Sequence, residues 1–173
     1  MFLFFVFFSI FFEIHGKGIS YPFSDNKLPR VVVLPQDNEK EPNTFIKEID
    51  LEIGSEIQVV AYYSNRFELE ILCSNVLACR PLHISIRPQE DAFVFNSMFQ
   101  NGLFDIEERR KLVISKLSLF RFNIHIRENG YEVVLNDYWY KFYSHRMDFK
   151  LGTQFRVIGL VDVTEYAFFK TPE

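Results

Sequence analysis

The stretch FRFNIHIRENGYEVVLND, residues 120–137, alternates apolar and polar side chains in the way that a half-buried β-strand does. Its apolar positions share one face on each side of a turn: Phe120, Phe122, Ile124 and Ile126 before it, and Tyr131, Val133 and Leu135 after it. Between them, Glu128-Asn129-Gly130 is typical of a tight hairpin turn. The stretch therefore predicts an antiparallel β-hairpin with one buried face.

The same period-two pattern continues on both sides of this hairpin. It marks residues 57–62 and 67–73 upstream, and Asn136-Asp137 supplies a second turn before the aromatic run at 138–143. Downstream, the pattern closes with Val157, Gly159 and Val161, while Asp162 and Thr164 fall on the other face or in a following turn. About ten short segments separated by turns, with no helical stripe, predict an all-β fold: an antiparallel sandwich or barrel.

Length, composition and charge limit the classes of protein. The chain has 173 residues, 48% of them hydrophobic, and a net charge of −4. One domain with a core of ordinary size fits these values. No window collects Lys and Arg without interleaved acids, so nucleic acid is not an expected partner. No Cys/His cluster has the spacing of metal ligands, and we expect neither a metal nor another cofactor.

The N-terminus reads MFLFFVFFSIFF before it breaks at Glu13, and this apolar run is too short to cross a bilayer. It is typical of a secretory signal peptide, which we assign to residues 1–16; an uncleaved anchor or a buried strand is the alternative. We therefore expect a secreted protein with no membrane span in its mature chain. Residues 17–44 are Pro-rich and predict an extended arm, strand-like only at Val31–Leu34, ahead of a domain at 45–173.

The two cysteines gain a role if the protein is secreted, because an oxidising compartment permits disulfides. Cys73 and Cys79 lie six residues apart around the turn-like pair Ser74 and Asn75, a spacing that can bridge the two arms of a hairpin. Two buried thiols are the alternative, since the sequence does not fix the Cα separation on which a bridge depends.

Three short segments place polar side chains on one sheet face. In HISIR, strand alternation puts His83, Ser85 and Arg87 in a row, and Asn96 in the next segment can lie beside them. DIEERR sends Glu107 and Arg109 to one face, and the turn at Asp105 can return Phe104 to the rim. Hydrogen-bonding groups beside an aromatic ring suit a pyranose, which has hydroxyls and one apolar face. A ladder of solvated ion pairs is the alternative.

These segments, with FRFNIHIRENGYEVVLND and FYSHR, resemble the carbohydrate-recognition domain of galectins over about residues 45–170. The family pattern is His-x-Asn-Pro-Arg, an Asn, Trp-Gly-x-Glu-x-Arg, a hairpin with Val-Asn and a His-Arg pair. The resemblance implies a jelly-roll β-sandwich that binds β-galactosides through His83, Arg87, Asn96, Glu107 and Arg109. The chain departs from the pattern at four positions: Ser85 replaces Asn, Ile86 replaces Pro, Phe104 replaces Trp and Asp105 replaces Gly.

We therefore expect a non-catalytic lectin whose partners are galactose-containing glycans on glycoproteins or glycolipids. A glycosidase is disfavoured because arginines would flank Glu107 and favour its ionised form, whereas glycoside hydrolysis needs a protonated acid. The alternative is an interaction module with a decayed sugar site, which would contact a protein through the aromatic surface at 138–143. We expect a packing or interface role for Trp139, a surface role for His125 and a structural role for the pair His145-Arg146, in preference to metal ligation. A homodimer is left open.

Overall fold

The computed structural model describes residues 42–73 and 79–170. The predicted signal peptide, residues 17–41 of the predicted arm, and the turn at Ser74 and Asn75 lie outside the described residues. Within the described ranges, no helix has the length and hydropathy needed to cross a membrane.

In this part of the chain the structure contains nine strands and two single-turn 3-10 helices. The strands are β1 (Asn43–Glu48), β2 (Glu56–Cys73), β3 (Arg80–Arg87), β4 (Ala92–Met98), β5 (Glu108–Lys111), β6 (Phe120–Arg127), β7 (Gly130–Leu135), β8 (Trp139–Ser144) and β9 (Gly152–Phe169). The 3-10 helices are Pro88–Glu90 and Phe149–Leu151. All named strand pairs are antiparallel.

The strands form two layers that share the long strands β2 and β9. In the first layer, residues 67–71 of β2 pair with β3 on one side, and residues 67–73 pair with the start of β9 on the other. The order is β5-β4-β3-β2-β9-β1. In the second layer, residues 56–61 of β2 pair with β6 and with the end of β9, giving β8-β7-β6-β2-β9. This architecture confirms the predicted all-β antiparallel sandwich.

The core lies between the two layers and is rich in aromatic rings. Phe93 of β4 meets Phe122 of β6 edge to face, with ring centroids 6.0 Å apart. Trp139 of β8 packs against Phe93 and Phe95 at 5.0 and 6.2 Å, which confirms its predicted packing role. The alternation in residues 120–135 holds throughout, because all seven of its apolar positions are buried. Burial of these side chains is the main stabilising contribution to the sandwich.

Residues at the two predicted turns meet different physical requirements. Asn136 and Asp137 adopt positive φ of 50° and 63°, which short polar side chains tolerate best and tight hairpins require. Gly130 is needed for space, since a Cβ there would lie 2.5 Å from the carbonyl oxygen of Tyr143 and 2.7 Å from the Phe142 ring. β7 and β8 can therefore approach only because this position has no side chain.

The long strands differ from the short segments that the sequence pattern predicts. β2 runs through residues 57–73 without a break, and Asp162 and Thr164 lie within β9. A register shift between Tyr63 and Phe67 interrupts the alternation of β2, and Gly159, with φ +126°, pairs with Phe67 at that shift. In β9 the core-facing parity changes from Val161 and Val163 to Tyr166 and Phe168, at the shift opposite Val60 and Ala61. A bulge of this kind bends a strand while it continues, so loss of alternation does not mark its end.

A disulfide closes the end of the β2–β3 hairpin. Cys73 is the last residue of β2 and is bonded to Cys79, with Cα atoms 5.4 Å apart. The Cys73 N–H also donates to the Cys79 carbonyl at 3.2 Å. The bridge therefore fixes the chain immediately before Arg80, where β3 begins.

Candidate functional site

The polar face of the first layer carries an open pocket of about 420 Å³. It is lined by Arg66, Glu68, Arg80, His83, Arg87, Asn96, Phe104, Asp105 and Glu107. Five of the seven residues that the sequence predicts for a sugar site are in this lining; Ser85 and Arg109 are not. The pocket is therefore built where β2, β3 and β4 meet the loop before β5.

Strand β3 supplies three lining residues, Arg80, His83 and Arg87, and one buried support, Ser85. His83, Ser85 and Arg87 share a face, as the alternation predicts, but Ser85 is completely buried. Its hydroxyl accepts a hydrogen bond from Arg87 Nε at 3.2 Å. Ser85 thus orients the Arg87 guanidinium, and its own oxygen is not open to the pocket.

Arg87 belongs to a closed circuit of four alternating charges. Its Nη2 donates to Glu107 Oε1 at 2.8 Å, and Glu107 Oε2 accepts from Arg109 Nη1 at 2.9 Å. Arg109 also bonds to Glu90, whose carboxylate lies 3.6 Å from Arg87 Nη1. The hydrogen bond from Arg109 is the main cause that holds the pKa of Glu90 below its ordinary value. The ion-pair ladder and the pocket therefore occur together.

The loop that carries Phe104 is held from below by two polar side chains. Asn96 is buried, and its Nδ2 donates to the Asp105 carbonyl at 2.8 Å. Arg146 follows β8 and donates from Nη1 to the Ile106 carbonyl at 2.6 Å and from Nη2 to Glu108 at 3.0 Å. The family resemblance implies a structural role for Arg146. In the structure, Arg146 fulfils such a role by holding the loop at the pocket.

Phe104 lies on the rim of the pocket, as expected if the turn at Asp105 brings it back to this face. Its side chain is 46% exposed. The His83 ring lies 5.0 Å away at a tilt of 55°, and the Arg80 guanidinium carbon lies 5.7 Å from the Phe104 centroid. A guanidinium over the ring is a cation–π contact, so Phe104 is positioned from two sides while much of it stays open.

A buried carboxylate lies directly behind His83. Glu70 of β2 is 1% exposed, and its Oε1 is 2.9 Å from His83 Nδ1. Its Oε2 accepts from Arg156 Nε at 2.7 Å, and Arg80 Nε lies 2.8 Å from Oε1. Burial alone raises the pKa of Glu70, but the hydrogen bond from His83 and the two arginines outweigh it, so the pKa lies below its ordinary value.

The donor atoms of Glu68, Glu70 and His83 lie within 4.8 Å of one another, which is close enough to consider a metal. The surrounding charges oppose that use. Arg80 and Arg156 already neutralise Glu70, and Arg66 bonds to Glu68 at 3.0 Å. A cation at this point would have to displace arginines from both carboxylates, so the cluster is better suited to a neutral polar ligand.

Sequence reasoning missed the acidic and basic neighbours of the predicted row. Glu68 and Glu70 alternate along β2, and their register partners on β3 are Ser85 and His83. Their polar parity was visible in the sequence, but the pairing of β2 with β3 was needed to bring them to the site. Arg80, Arg156 and Glu90 carry no local signal, because each reaches the site from a different element.

The sequence matches the family model described as Galactoside-binding lectin over residues 44–168. It is similar to the 32 kDa beta-galactoside-binding lectin of Haemonchus contortus, with 34% identity over 79 residues, 46% of this chain and 28% of that protein. A protein of the same name from Caenorhabditis elegans is 34% identical over 67 residues, 39% of this chain and 24% of that protein. The chain spans 28% and 24% of the length of these two relatives.

Solved structures give the same fold at low sequence identity. Caenorhabditis elegans galectin LEC-6 superposes with a TM-score of 0.66 at 18% identity, covering 77% of this chain and 94% of that chain. Sheep galectin-11, in complex with glycerol, superposes with a TM-score of 0.67 at 14% identity, covering 75% of this chain and 100% of that chain. At this identity the superpositions establish the sandwich fold alone.

Proposed function

Because this chain belongs to the galactoside-binding lectin family, we propose that its pocket binds β-galactoside-type glycans, as lectins do, without catalysis. The observation that carries the proposal is that one pocket is lined by Phe104, whose ring is half exposed beside His83, and by the Arg87–Glu107 pair. Those groups face one pocket of suitable size for a sugar ring. The glycans we propose are those of glycoproteins or glycolipids.

The chemistry of the pocket matches the chemistry of a pyranose. Arg87 offers guanidinium donors, Glu107 offers carboxylate lone pairs, and both are oriented by the charge circuit. Phe104 offers an aromatic face to the apolar C–H face of a sugar. Asn96 contributes by holding the Asp105 backbone, since its Nδ2 is already engaged there. Polar fixation and stacking together define one orientation of a bound ring.

The departures from the family pattern predict weak binding. Ser85 is buried under Arg87 and presents no amide to a ligand. Phe104 has a smaller stacking face than Trp, and Arg80 lies against it. Each change costs on the order of 1–3 kcal/mol through a lost partner or a smaller contact. We expect selectivity for galactosides to persist with reduced affinity.

The contacts of Glu107 also support a binding role over catalysis. A glycosidase needs one carboxylic acid that donates a proton to the leaving oxygen. Both oxygens of Glu107 accept hydrogen bonds from arginines, Arg87 on one and Arg109 on the other. A carboxylate in this setting is a fixed acceptor, which suits recognition of a hydroxyl.

We infer further that the mature protein acts outside the cell. The apolar run at residues 1–12 and the pairing of Cys73 with Cys79 support secretion, because disulfides persist in oxidising compartments. Expression in a eukaryotic host followed by mass spectrometry of the medium tests this: a product beginning near Lys17 is the expected result. Retention of full-length chain inside the cell would contradict it.

The direct test of the binding proposal is a glycan array with titration calorimetry on lactose. We expect galactosides to be bound, and Arg87→Ala and Glu107→Ala each to weaken lactose binding by about tenfold or more, since each removes a charge-assisted contact. Arg121→Ala is the matched control, because Arg121 pairs with Asp137 on the second layer. A folded protein that ignores every galactoside, or an unaltered affinity in Glu107→Ala, would refute the proposal.

A further inference from the structure

Glu70 lies outside the lining of the open pocket, but it contacts His83, which is part of that lining. His83 Nδ1 is 2.9 Å from Glu70 Oε1, and the carboxylate is 1% exposed. Arg156 Nε donates to the other oxygen at 2.7 Å. The position of this carboxylate raises the question of which nitrogen of His83 carries the proton.

The charge state of Glu70 answers that question. A carboxyl held below its ordinary pKa is ionised at neutral pH, and an ionised carboxylate only accepts hydrogen bonds. The hydrogen between it and His83 must therefore sit on Nδ1. In a neutral imidazole the second nitrogen is then bare and can only accept. Among the described residues Nε2 of His83 has no partner, and the ring lines the pocket.

We propose that Glu70 is a positioning residue that fixes His83 as a hydrogen-bond acceptor toward the bound glycan. The inference rests on the proposed lectin function and deepens it, since it assigns to Glu70 the choice of which His83 nitrogen is free to accept from a sugar hydroxyl. Arg80 and Arg156 complete the device by holding the carboxylate ionised and in place. The pocket thus selects a ligand with a hydroxyl hydrogen at this point and rejects one with only an acceptor there.

The first test measures which ring nitrogen of His83 is protonated in the unliganded full chain. Nitrogen-15 NMR of the imidazole rings at about pH 7.5 distinguishes a protonated from a bare ring nitrogen, and the His83→Gln variant identifies the His83 signals. We expect a protonated Nδ1 and a bare Nε2. A ring protonated on Nε2, alone or together with Nδ1, overturns the proposal. This measurement needs no ligand, so it stands even if lactose is not bound.

The second test uses Glu70→Gln. Arg156 contacts one Glu70 oxygen through both Nε and Nη2, whereas Arg80 Nε makes no hydrogen bond to the oxygen that faces His83. The single oxygen of Gln therefore turns to Arg156, and the amide N–H faces His83 Nδ1. We expect the His83 proton to move to Nε2 and lactose affinity to fall about tenfold, the value of one charged hydrogen bond. Glu132→Gln on the second layer, where Glu132 pairs with Arg127, is the control and should change neither readout.

The outcomes of the two tests separate the possible failures. A folded Glu70→Gln protein with Nδ1 still protonated and lactose affinity unaltered overturns the assignment of Glu70. If Glu70→Gln does not fold, the wild-type NMR result alone decides. If the wild-type protein shows the expected proton position but binds no galactoside, the proposed function fails while the positioning of His83 by Glu70 stands.

Discussion

Replacing Arg146 by Met gives the sharpest test of how the pocket loop is held. Met keeps the aliphatic part of the side chain and removes the guanidinium. The Arg146 side chain is 17% exposed. That guanidinium donates to the Ile106 carbonyl at 2.6 Å and to Glu108 at 3.0 Å, and lies 3.2 Å from Asp105 Oδ2. It also stands 4.9 Å from the ring centroid of Tyr143.

The magnitude follows from the exposure of each partner. The carbonyl of Ile106 loses a charged donor, which costs about 1.5 kcal/mol. The carboxylates of Asp105 and Glu108 are 33% and 40% exposed, so each pair contributes only about 0.5 kcal/mol after solvent screening. The cation–π contact with Tyr143 adds about 0.5 kcal/mol. We expect Arg146→Met to lower the free energy of unfolding by about 2–3 kcal/mol.

Urea unfolding at about pH 7 measures this loss, provided that the slope m is unchanged between variants. Arg127→Met is the control, since among the described residues its side chain pairs only with Glu132 at the surface and should cost less than about 0.5 kcal/mol. Lactose affinity should fall together with stability, because the loop carries Phe104 and Glu107. Arg146→Met with wild-type unfolding and wild-type affinity would show that the loop holds itself and that the contacts are incidental.

Three further outcomes are expected from other parts of the chain. The pKa of Glu70 is lowered from 4.5, so its ionised form stabilises the fold above that pH and the contribution disappears as pH falls through the lowered value. The urea midpoint should therefore fall as the pH is lowered into the acid range, and it should fall less in Glu70→Gln. An equal fall of the midpoint with pH in both proteins would contradict this. Replacing Cys73 and Cys79 by Ser should cost about 2 kcal/mol of unfolding free energy, and an unchanged midpoint would deny the bridge a role. Gly130→Ala should cost about 1–3 kcal/mol, because its Cβ meets Tyr143 and Phe142, and wild-type stability would refute that clash.

The fold could be predicted from sequence because several strands, β6 and β7 above all, bury one face and expose the other. In residues 120–135 every apolar position of the alternating pattern reaches the core, since a strand that slips by one residue would expose all of them. The continuity of β2 and β9 could not be predicted. Each crosses from one layer to the other at a register shift, where the regular alternation is interrupted although the strand does not end.

The pocket was only partly predictable for a related reason. Alternation placed His83 and Arg87 on one face, but it says nothing about depth, and Ser85 lies completely under Arg87. The sequence also does not show which strands are neighbours, because the pairing order depends on the topology of the whole sheet. Glu70 reaches His83 through the β2–β3 register, and Arg156 arrives from 86 residues away along the chain.

The charge circuit shows why an ion-pair ladder and a binding site need not be competing interpretations. Exposed pairs such as Arg109 with Glu107 add little to stability, since solvent screens them and fixing long side chains costs entropy. That entropy is lost on folding, so it is not lost again when a ligand binds. In the proposed binding of a sugar, Arg87 and Glu107 are therefore oriented before the ligand arrives, with further donors and lone pairs available. A ladder that contributes little to the fold can in this way contribute to affinity.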